Sequence, residues 1–211
     1  MLNLIISPHS DDAIFSLGAF ISHNPKGMII VSPLMGIPKD KEGRAKHQLL
    51  AVEHAKACEL LGVQHHLDGS FLDDVYGADR DKVKKYLKAI VNLYHNTADD
   101  VSVYIPIGIK HPDHIMISDI MLELMDELAI TEYYLYAELP YATRYRVLLL
   151  KQLLAFIPKV NISYNTKSND VKLKAVMAYR SQVDDEVIED VMVEECIYKV
   201  TNDKRSLANI Q

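Results

Sequence analysis

The sequence predicts an α/β sandwich built around a mainly parallel sheet. Short apolar segments alternate with longer amphipathic segments along most of the chain. The short segments are rich in β-branched residues, which is typical of strands buried on both faces of a parallel sheet. The longer segments carry apolar residues at helical spacing, and the alternation of strand and helix is typical of this fold class.

Each predicted element has a local signal in the sequence. The first strand is bounded by Pro8, and the first long helix stops at Gly62, because glycine is common at helix ends. The predicted strands are residues 2–7, 28–32, 101–107, 130–139, 159–164 and 195–200. The predicted helices are residues 41–61, 80–94, 115–128, 145–156 and 171–179.

Composition and chain organisation predict one globular domain. The chain has 211 residues, of which 49% are apolar and 25% charged, and these values exclude the disordered and fibrous classes. The sequence contains no Pro/Gly/Ser-rich linker, repeat or low-complexity tract. We therefore expect a single domain over residues 1–211, with the segment after about residue 140 as a candidate C-terminal subdomain.

Charge and cysteine content exclude several partners. The net charge of −6 argues against nucleic acid or an anionic membrane held by a basic field. No apolar run approaches the roughly 18 residues of a transmembrane helix, and the first residues do not resemble a signal peptide. The two cysteines, Cys58 and Cys196, make no disulfide framework. We expect a cytoplasmic protein, and a homo-oligomer remains open.

Two loops rich in metal-ligating side chains follow predicted strands. The first loop reads S-P-H-S-D-D-A over residues 7–13, and the second reads K-H-P-D-H over residues 110–114. Sites of open α/β sheets lie beyond the carboxyl ends of the strands, so both loops are expected on one edge. The alternative is that Asp11 and Asp12 only cap the helix that follows.

The spacing in these loops predicts a metal site. His9 and Asp12 lie three residues apart at a helix start and can turn towards one point, and His114 completes a His-Asp-His set. Catalytic zinc sites use three protein ligands and leave a position for water. Imidazole and carboxylate ligands also suit Fe²⁺, so the sequence leaves Zn²⁺ and Fe²⁺ open.

The remaining side chains of the two loops predict amide hydrolysis. A metal lowers the pKa of its water towards about 7, and Asp11 can take the proton as general base. His111, as a cation or as a neutral donor, can hold the oxyanion. Asp113 can accept the second ring N–H of a histidine and so fix its tautomer.

The sequence resembles the PIG-L/LmbE family of metal-dependent N-deacetylases, and its H-x-D-D-A branch in particular. The two motifs read H-S-D-D-A at residues 9–13 and H-P-D-H at residues 111–114, in the family's order. The likeness extends over about residues 2–182. Further matching segments are the helix around Glu53 and residues 71–73, 105–108, 138–142 and 174–182.

The resemblance implies a Rossmann-like three-layer sandwich and removal of an N-acetyl group from a GlcNAc-type sugar. It assigns the zinc ligands, the base and the oxyanion-binding histidine to the same residues as the spacing does. The implied partner is a small N-acetylated sugar or glycoconjugate. Two alternatives stay open: a metal-dependent amidase acting on a non-sugar substrate, and a non-catalytic relative that binds a sugar or a metal.

Departures from the family pattern concern the substrate. Leu50 stands where the family often has a substrate-binding arginine, and Ile109 stands where some members have an oxyanion-binding tyrosine. Arg44 and Tyr141 are the predicted replacements, and Asp73 is a third predicted substrate contact. His47 and Tyr104 are the alternatives for these replacements.

The other histidines and Cys58 are predicted to be structural. His65 and His66 are adjacent on a strand, so they point to opposite faces and are not expected to share a metal. His47 and His54 lie two helical turns apart and are predicted to form a surface pair. Cys58 lies on the apolar side of a helix and is predicted to be a small core residue.

Overall fold

The computed structural model describes residues 1–73, 77–98, 100–156 and 160–202. Strands and helices alternate within these residues. The strands are β1 Leu2–Ile6, β2 Met28–Ser32, β3 His65–Asp68, β4 Val101–Pro106, β5 Glu132–Tyr136, β6 Val160–Thr166 and β7 Glu195–Thr201. The helices are α1 Asp12–His23, α2 Lys41–Leu61, α3 Arg80–Thr97, α4 Pro112–Glu127, α5 Tyr141–Arg144, α6 Arg146–Phe156, α7 Asp170–Val176 and α8 Asp185–Val191.

The strands form one sheet in the order β3-β2-β1-β4-β5-β7-β6. The first five strands are parallel to their neighbours, whereas β7 is antiparallel to both β5 and β6. Helices cover both faces: α1, α2 and α7 pack together, and α3 packs against α4. The predicted three-layer α/β sandwich with a mainly parallel sheet is therefore confirmed.

Helices α5 and α8 were not predicted from the sequence, and strand β3 was expected only as the strand that carries His65 and His66, without bounds. Strand β3 is four residues long and mostly exposed, so it lacks the apolar run that marks the other strands. Helices α5 and α8 are too short to show helical periodicity. Lys159, the predicted first residue of the sixth segment, lies outside the described residues.

The order of the strands places the two motif loops side by side. The chain moves from β1 outwards through β2 to β3, then returns to place β4 on the other side of β1. Such a switch in direction opens a crevice at the carboxyl ends of the two central strands. The loops after β1 and β4 lie at this crevice, and α1 and α4 begin directly after them.

The core surrounds the central strands. Leu4, Ile5 and Ile6 of β1 are fully buried, as is most of α1. The Tyr136 hydroxyl donates a hydrogen bond of 2.8 Å to the Ile6 carbonyl at the end of β1. Among the described residues, no helix combines the length and the apolar character that a bilayer crossing requires.

A buried ion pair joins the C-terminal elements to α1. Lys172 of α7 and Glu195 of β7 are fully buried, and Nζ lies 2.9 Å from Oε1. Glu195 also accepts hydrogen bonds from the backbone N–H groups of Ala19 (2.8 Å) and Phe20 (2.9 Å) in α1. A Cβ at Gly18 would lie 2.9 Å from the lysine Cγ, so glycine makes room for this side chain.

We expect Glu195→Gln to lower the free energy of unfolding by about 3 kcal/mol, because it leaves the Lys172 ammonium buried without a counter-charge. Urea denaturation measures this change. The matched control is Glu132→Gln, whose carboxylate pairs with Lys199 at 2.6 Å but is 51% exposed. That control should change the free energy by about 1 kcal/mol or less. Equal effects of the two substitutions would contradict a structural role for the buried pair.

Candidate metal centre

The loop after β1 keeps its carboxylates out of the capping of α1. The Ser7 hydroxyl accepts a hydrogen bond of 2.9 Å from the Ala13 N–H and thereby caps the helix. The Asp11 side chain makes no capping hydrogen bond, although Asp11 is the N-cap residue by position. Asp12 accepts from the His9 N–H at 2.8 Å, a bond within the loop. The capping alternative therefore does not account for Asp11.

The two loops bring His9, Asp12 and His114 to one point. His9 Nδ1 lies 3.3 Å from Asp12 Oδ2, and His114 Nε2 lies 3.3 Å from Asp12 Oδ1. One potential ligand atom from each of the three residues lies within 4.8 Å of the other two. The carboxylate thus stands between two imidazoles, as the sequence motifs led us to expect.

Asp113 selects the tautomer of His9. His9 Nε2 lies 2.9 Å from Asp113 Oδ2. Because an ionised carboxylate only accepts hydrogen bonds, Nε2 carries a proton, and Nδ1, 3.3 Å from Asp12 Oδ2, is the nitrogen that a metal would bind in place of a proton. This is the contact that metal-binding histidines commonly make through their second nitrogen.

Glu138 occupies the corresponding position beside His114. Its Oε1 lies 3.5 Å from His114 Nδ1, which leaves Nε2 directed at Asp12. The Glu138 carboxylate is fully buried and accepts hydrogen bonds of 2.7–3.0 Å from the N–H groups of residues 107–109. It therefore holds the loop after β4 and places a negative charge beside the His114 ring. Glu138 lies two residues beyond the end of β5, inside the segment that was predicted as a strand, so the sequence did not mark it for this role.

The electrostatics of the cluster favour a positive charge between the two rings. Although burial opposes the change, the carboxylates of Asp113 and Asp12 raise the pKa of His9 to about 10. Burial likewise opposes ionisation of Asp12, but His114 and His9 hold its pKa at about 2. A divalent cation that replaces the protons between these groups would meet two imidazoles and one carboxylate, which is a donor set suited to Zn²⁺ or Fe²⁺. The residues therefore fit a divalent metal.

Asp11 lines the same cleft, and its carboxyl group has a higher pKa than that of Asp12. Burial and the negative charge of Asp12 raise the pKa of Asp11 to about 6, against the opposing effect of His9. Two adjacent carboxylates thus have separated pKa values because only Asp12 lies between the imidazoles. A carboxylate with a pKa near neutrality can both accept and return a proton.

His111 is held as a neutral hydrogen-bond donor. Its Nδ1 accepts a hydrogen bond of 3.2 Å from the Asp113 N–H at the start of α4, so the ring proton lies on Nε2. Burial and the neighbouring His114 and His9 rings hold the pKa of His111 below its usual value. The sequence left open whether His111 is a cation or a neutral donor, and the structure favours the neutral donor.

A cleft of about 480 Å³ opens over this cluster. Asp73 and Tyr141 line it, whereas Arg44 is exposed on α2 and is not among the described lining residues. The side chains that α2 contributes to the cleft are Lys46, His47 and Leu50. Lys46, which was not predicted from the sequence, therefore supplies to the cleft the positive charge that was expected from Arg44, two residues earlier on the same helix.

Tyr141 stands against the imidazoles. The centroid of its ring lies 4.9 Å from that of His114 and 6.2 Å from that of His111. Burial and the nearby carboxylates of Asp12 and Asp11 raise its pKa well above the usual value, so the hydroxyl keeps its proton. Tyr104, the alternative, instead stacks on Tyr134 with a centroid distance of 4.8 Å, away from the cleft.

The prediction that His54 lies on the surface was wrong. Its side chain is 1% exposed, and Nδ1 lies 2.8 Å from the Tyr179 hydroxyl. Spacing relative to His47 could not show this, because the partner comes from a distant segment. Cys58 is buried as predicted, and burial raises the pKa of its thiol to about 12, so it is not a nucleophilic thiolate at neutral pH.

A family model described as PIG-L, GlcNAc-PI de-N-acetylase, matches residues 4–125, a segment that contains both motif loops. The chain belongs to the PIG-L family. The resemblance read from the motifs is thereby confirmed, and the chain is homologous to deacetylases. No curated protein sequence matches the chain.

Solved structures share the fold of this PIG-L protein. Teicoplanin deacetylase is 19% identical, with a TM-score of 0.70, both in a complex with teicoplanin and in a zinc-inhibited form. These alignments cover 97% of this chain and 99–100% of the others. N,N'-diacetylchitobiose deacetylase from Pyrococcus horikoshii is 21% identical with a TM-score of 0.59, over 89% of this chain and 72% of that one.

We expect Asp113→Asn to weaken zinc binding by about 10–100-fold, because an amide can donate to His9 Nε2 and shift the ring proton to Nδ1. Competition with a chromophoric chelator measures the affinity. The control is Asp119→Asn, an exposed position on the same helix, which should leave the affinity unchanged. If both variants bind zinc like the parent protein, Asp113 does not select the tautomer.

Proposed function

We propose that this PIG-L protein is a zinc-dependent hydrolase that removes an N-acetyl or other N-acyl group from an amino sugar or glycoconjugate. Family membership supports the de-N-acetylation. The observation that carries the metal dependence is the Asp12 carboxylate 3.3 Å from an imidazole nitrogen of His9 and 3.3 Å from one of His114, in the lining of an open cleft. Fe²⁺ is the second candidate, because the same donors suit it.

His9, Asp12 and His114 would hold the ion. When bound, the ion supplies Lewis acidity, which polarises an amide carbonyl and lowers the pKa of water. Asp113 would keep His9 in the ligating tautomer through its second nitrogen, and Glu138 faces the second nitrogen of His114 at 3.5 Å.

Asp11 would move the proton. It accepts a proton from the attacking water and returns it to the amine nitrogen as the C–N bond breaks. Water is thereby added across the amide, and the products are a carboxylic acid and an amine. A pKa of about 6 suits both the acceptance and the return of the proton.

His111 would stabilise the oxyanion with its Nε2–H group. The bond from the Asp113 N–H to Nδ1 fixes which ring nitrogen carries the proton, so the donor is in place before the substrate binds. Tyr141 is a second donor in the cleft, since its hydroxyl keeps its proton.

The lining of the cleft supports a sugar with polar and apolar faces. Lys46, Asp73 and Gln182 offer charged and amide groups for sugar hydroxyls, whereas Phe15 and Leu50 offer apolar surface. The neighbours named for teicoplanin and N,N'-diacetylchitobiose make a glycosylated substrate the first choice. Leu50 in place of the family's arginine is the observation that favours the second candidate, an amidase for non-sugar substrates.

The test is release of acetate or another acid from N-acetyl sugars, N-acyl amino acids and N-acetyl peptides. The metal-stripped protein should be inactive, and added Zn²⁺ or Fe²⁺ should restore hydrolysis of the sugars. Hydrolysis of acyl amino acids or peptides alone would replace the proposed function with the amidase. No hydrolysis of any substrate at any metal loading would identify a non-catalytic binding protein.

We expect Asp11→Asn to lower kcat by about 10²–10⁴-fold while zinc still binds, because the variant loses the base but no ligand. Steady-state kinetics and metal analysis on the same preparation measure the two quantities. Asp81→Asn, an exposed position on α3, is the control and should retain full activity. An Asp11→Asn protein with the parent's kcat would refute the assigned base.

A further inference from the structure

A second group of metal-ligating side chains lies between α2 and β3. His54 and Cys58 come from α2, and His66 and Asp68 come from β3. Cys58 Sγ lies 3.6 Å from His54 Nε2, and the His54 and His66 ring centroids are 5.0 Å apart. Asp68 lies beside both histidines, with its two oxygens 4.0 Å from His54 Nε2 and from His66 Nε2.

The periodicities of the two elements explain why these four side chains converge. His54 and Cys58 are four residues apart and share one face of the helix. His66 and Asp68 are two residues apart and share one face of the strand. The adjacent His65, whose side chain points to the other face, is not part of the group.

The hydrogen bonds of His54 direct a lone pair into this group. The Tyr179 hydroxyl donates to the Ser10 carbonyl at 2.9 Å, so its oxygen accepts from His54 Nδ1–H at 2.8 Å. The proton on Nδ1 leaves Nε2 bare, and Nε2 is the atom that faces Cys58 and Asp68. The ring is thus held in the tautomer that a metal requires before any metal binds.

We propose that His54, Cys58 and His66, with Asp68 as fourth ligand, form a second metal site, for Zn²⁺ in first place. One ligand atom from each of the first three lies within 4.8 Å of the others. Four protein ligands are typical of closed, structural zinc sites, and thiolate with imidazole disfavours Mg²⁺ and Ca²⁺.

Access and proton balance are consistent with this site. His54 and Cys58 are buried, whereas the side chains of His66 and Asp68 are each 35% exposed and leave a path for the ion. Binding converts the Cys58 thiol to a thiolate, and the released proton passes to solvent. No oxidant or other co-reactant is required.

Two hydrogen bonds connect the second site to the loop of the first site. The His54 imidazole bonds to Tyr179, and Tyr179 bonds to the carbonyl of Ser10, which lies between His9 and Asp11. An ion on Nε2 makes Nδ1–H a stronger donor, so it strengthens this chain of hydrogen bonds.

Cobalt binding tests the site independently of the proposed hydrolase. The parent protein should bind about two Co²⁺ per chain and show a near-ultraviolet thiolate-to-cobalt absorption, because, of the two proposed sites, this one contains a cysteine and the other does not. His66→Ala should lower the stoichiometry to about one ion, and Cys58→Ser should abolish the absorption. His114→Ala should lose the other ion but keep the absorption, which separates failure of one site from failure of the other.

Cys196→Ser is the matched control and should keep the absorption, since it removes the other free cysteine. Circular dichroism checks that each variant is folded. If Cys58→Ser does not fold, the exposed substitution His66→Ala decides the question. A parent protein without the absorption, an absorption that persists in folded Cys58→Ser, or an unchanged cobalt content in His66→Ala would overturn the proposal.

Discussion

The contact of one carboxylate with two imidazoles is the interaction on which the site depends. Asp12 lies 3.3 Å from a nitrogen of His9 and 3.3 Å from a nitrogen of His114, although the two histidines come from loops about half the chain apart. Only the adjacency of β1 and β4 in the sheet makes this meeting possible. The fold therefore contributes the switch point, and the loops contribute the ligands.

Other residues cap helix α1 and contact the second nitrogens of the two rings, so the Asp12 carboxylate is left to face the two imidazoles. Ser7 caps α1, so the loop carboxylates do not have to. Asp113 and Glu138 occupy the second nitrogens of the two rings. Gathering so many buried ionisable groups is costly, because each charge loses its hydration. A bound cation would offset this cost, because its positive charge would balance the buried carboxylates.

The sequence predicted the strand–helix alternation and both motif loops because each depends on neighbouring residues. It did not show the role of Glu138, whose partners are backbone N–H groups about 30 residues earlier in the chain. It also misplaced His54, because spacing along a helix reveals which residues share a face but not what covers that face. The cover here is β3, a short polar strand, together with Tyr179, 125 residues away.

The residues that hold the loop after β1 are fixed more firmly than the α2 residues that line the cleft. The loop is held by Ser7 on one side and by the Tyr179 bond to Ser10 on the other, and all three residues are buried. On the α2 rim, by contrast, Lys46 is exposed, and Leu50 is half-buried at the edge of the hydrophobic core. Under the proposed function, a substitution at this rim is therefore expected to affect substrate binding without displacing His9, Asp12 or His114. The apolar residue at position 50 would accordingly act on specificity rather than on the chemistry of the centre.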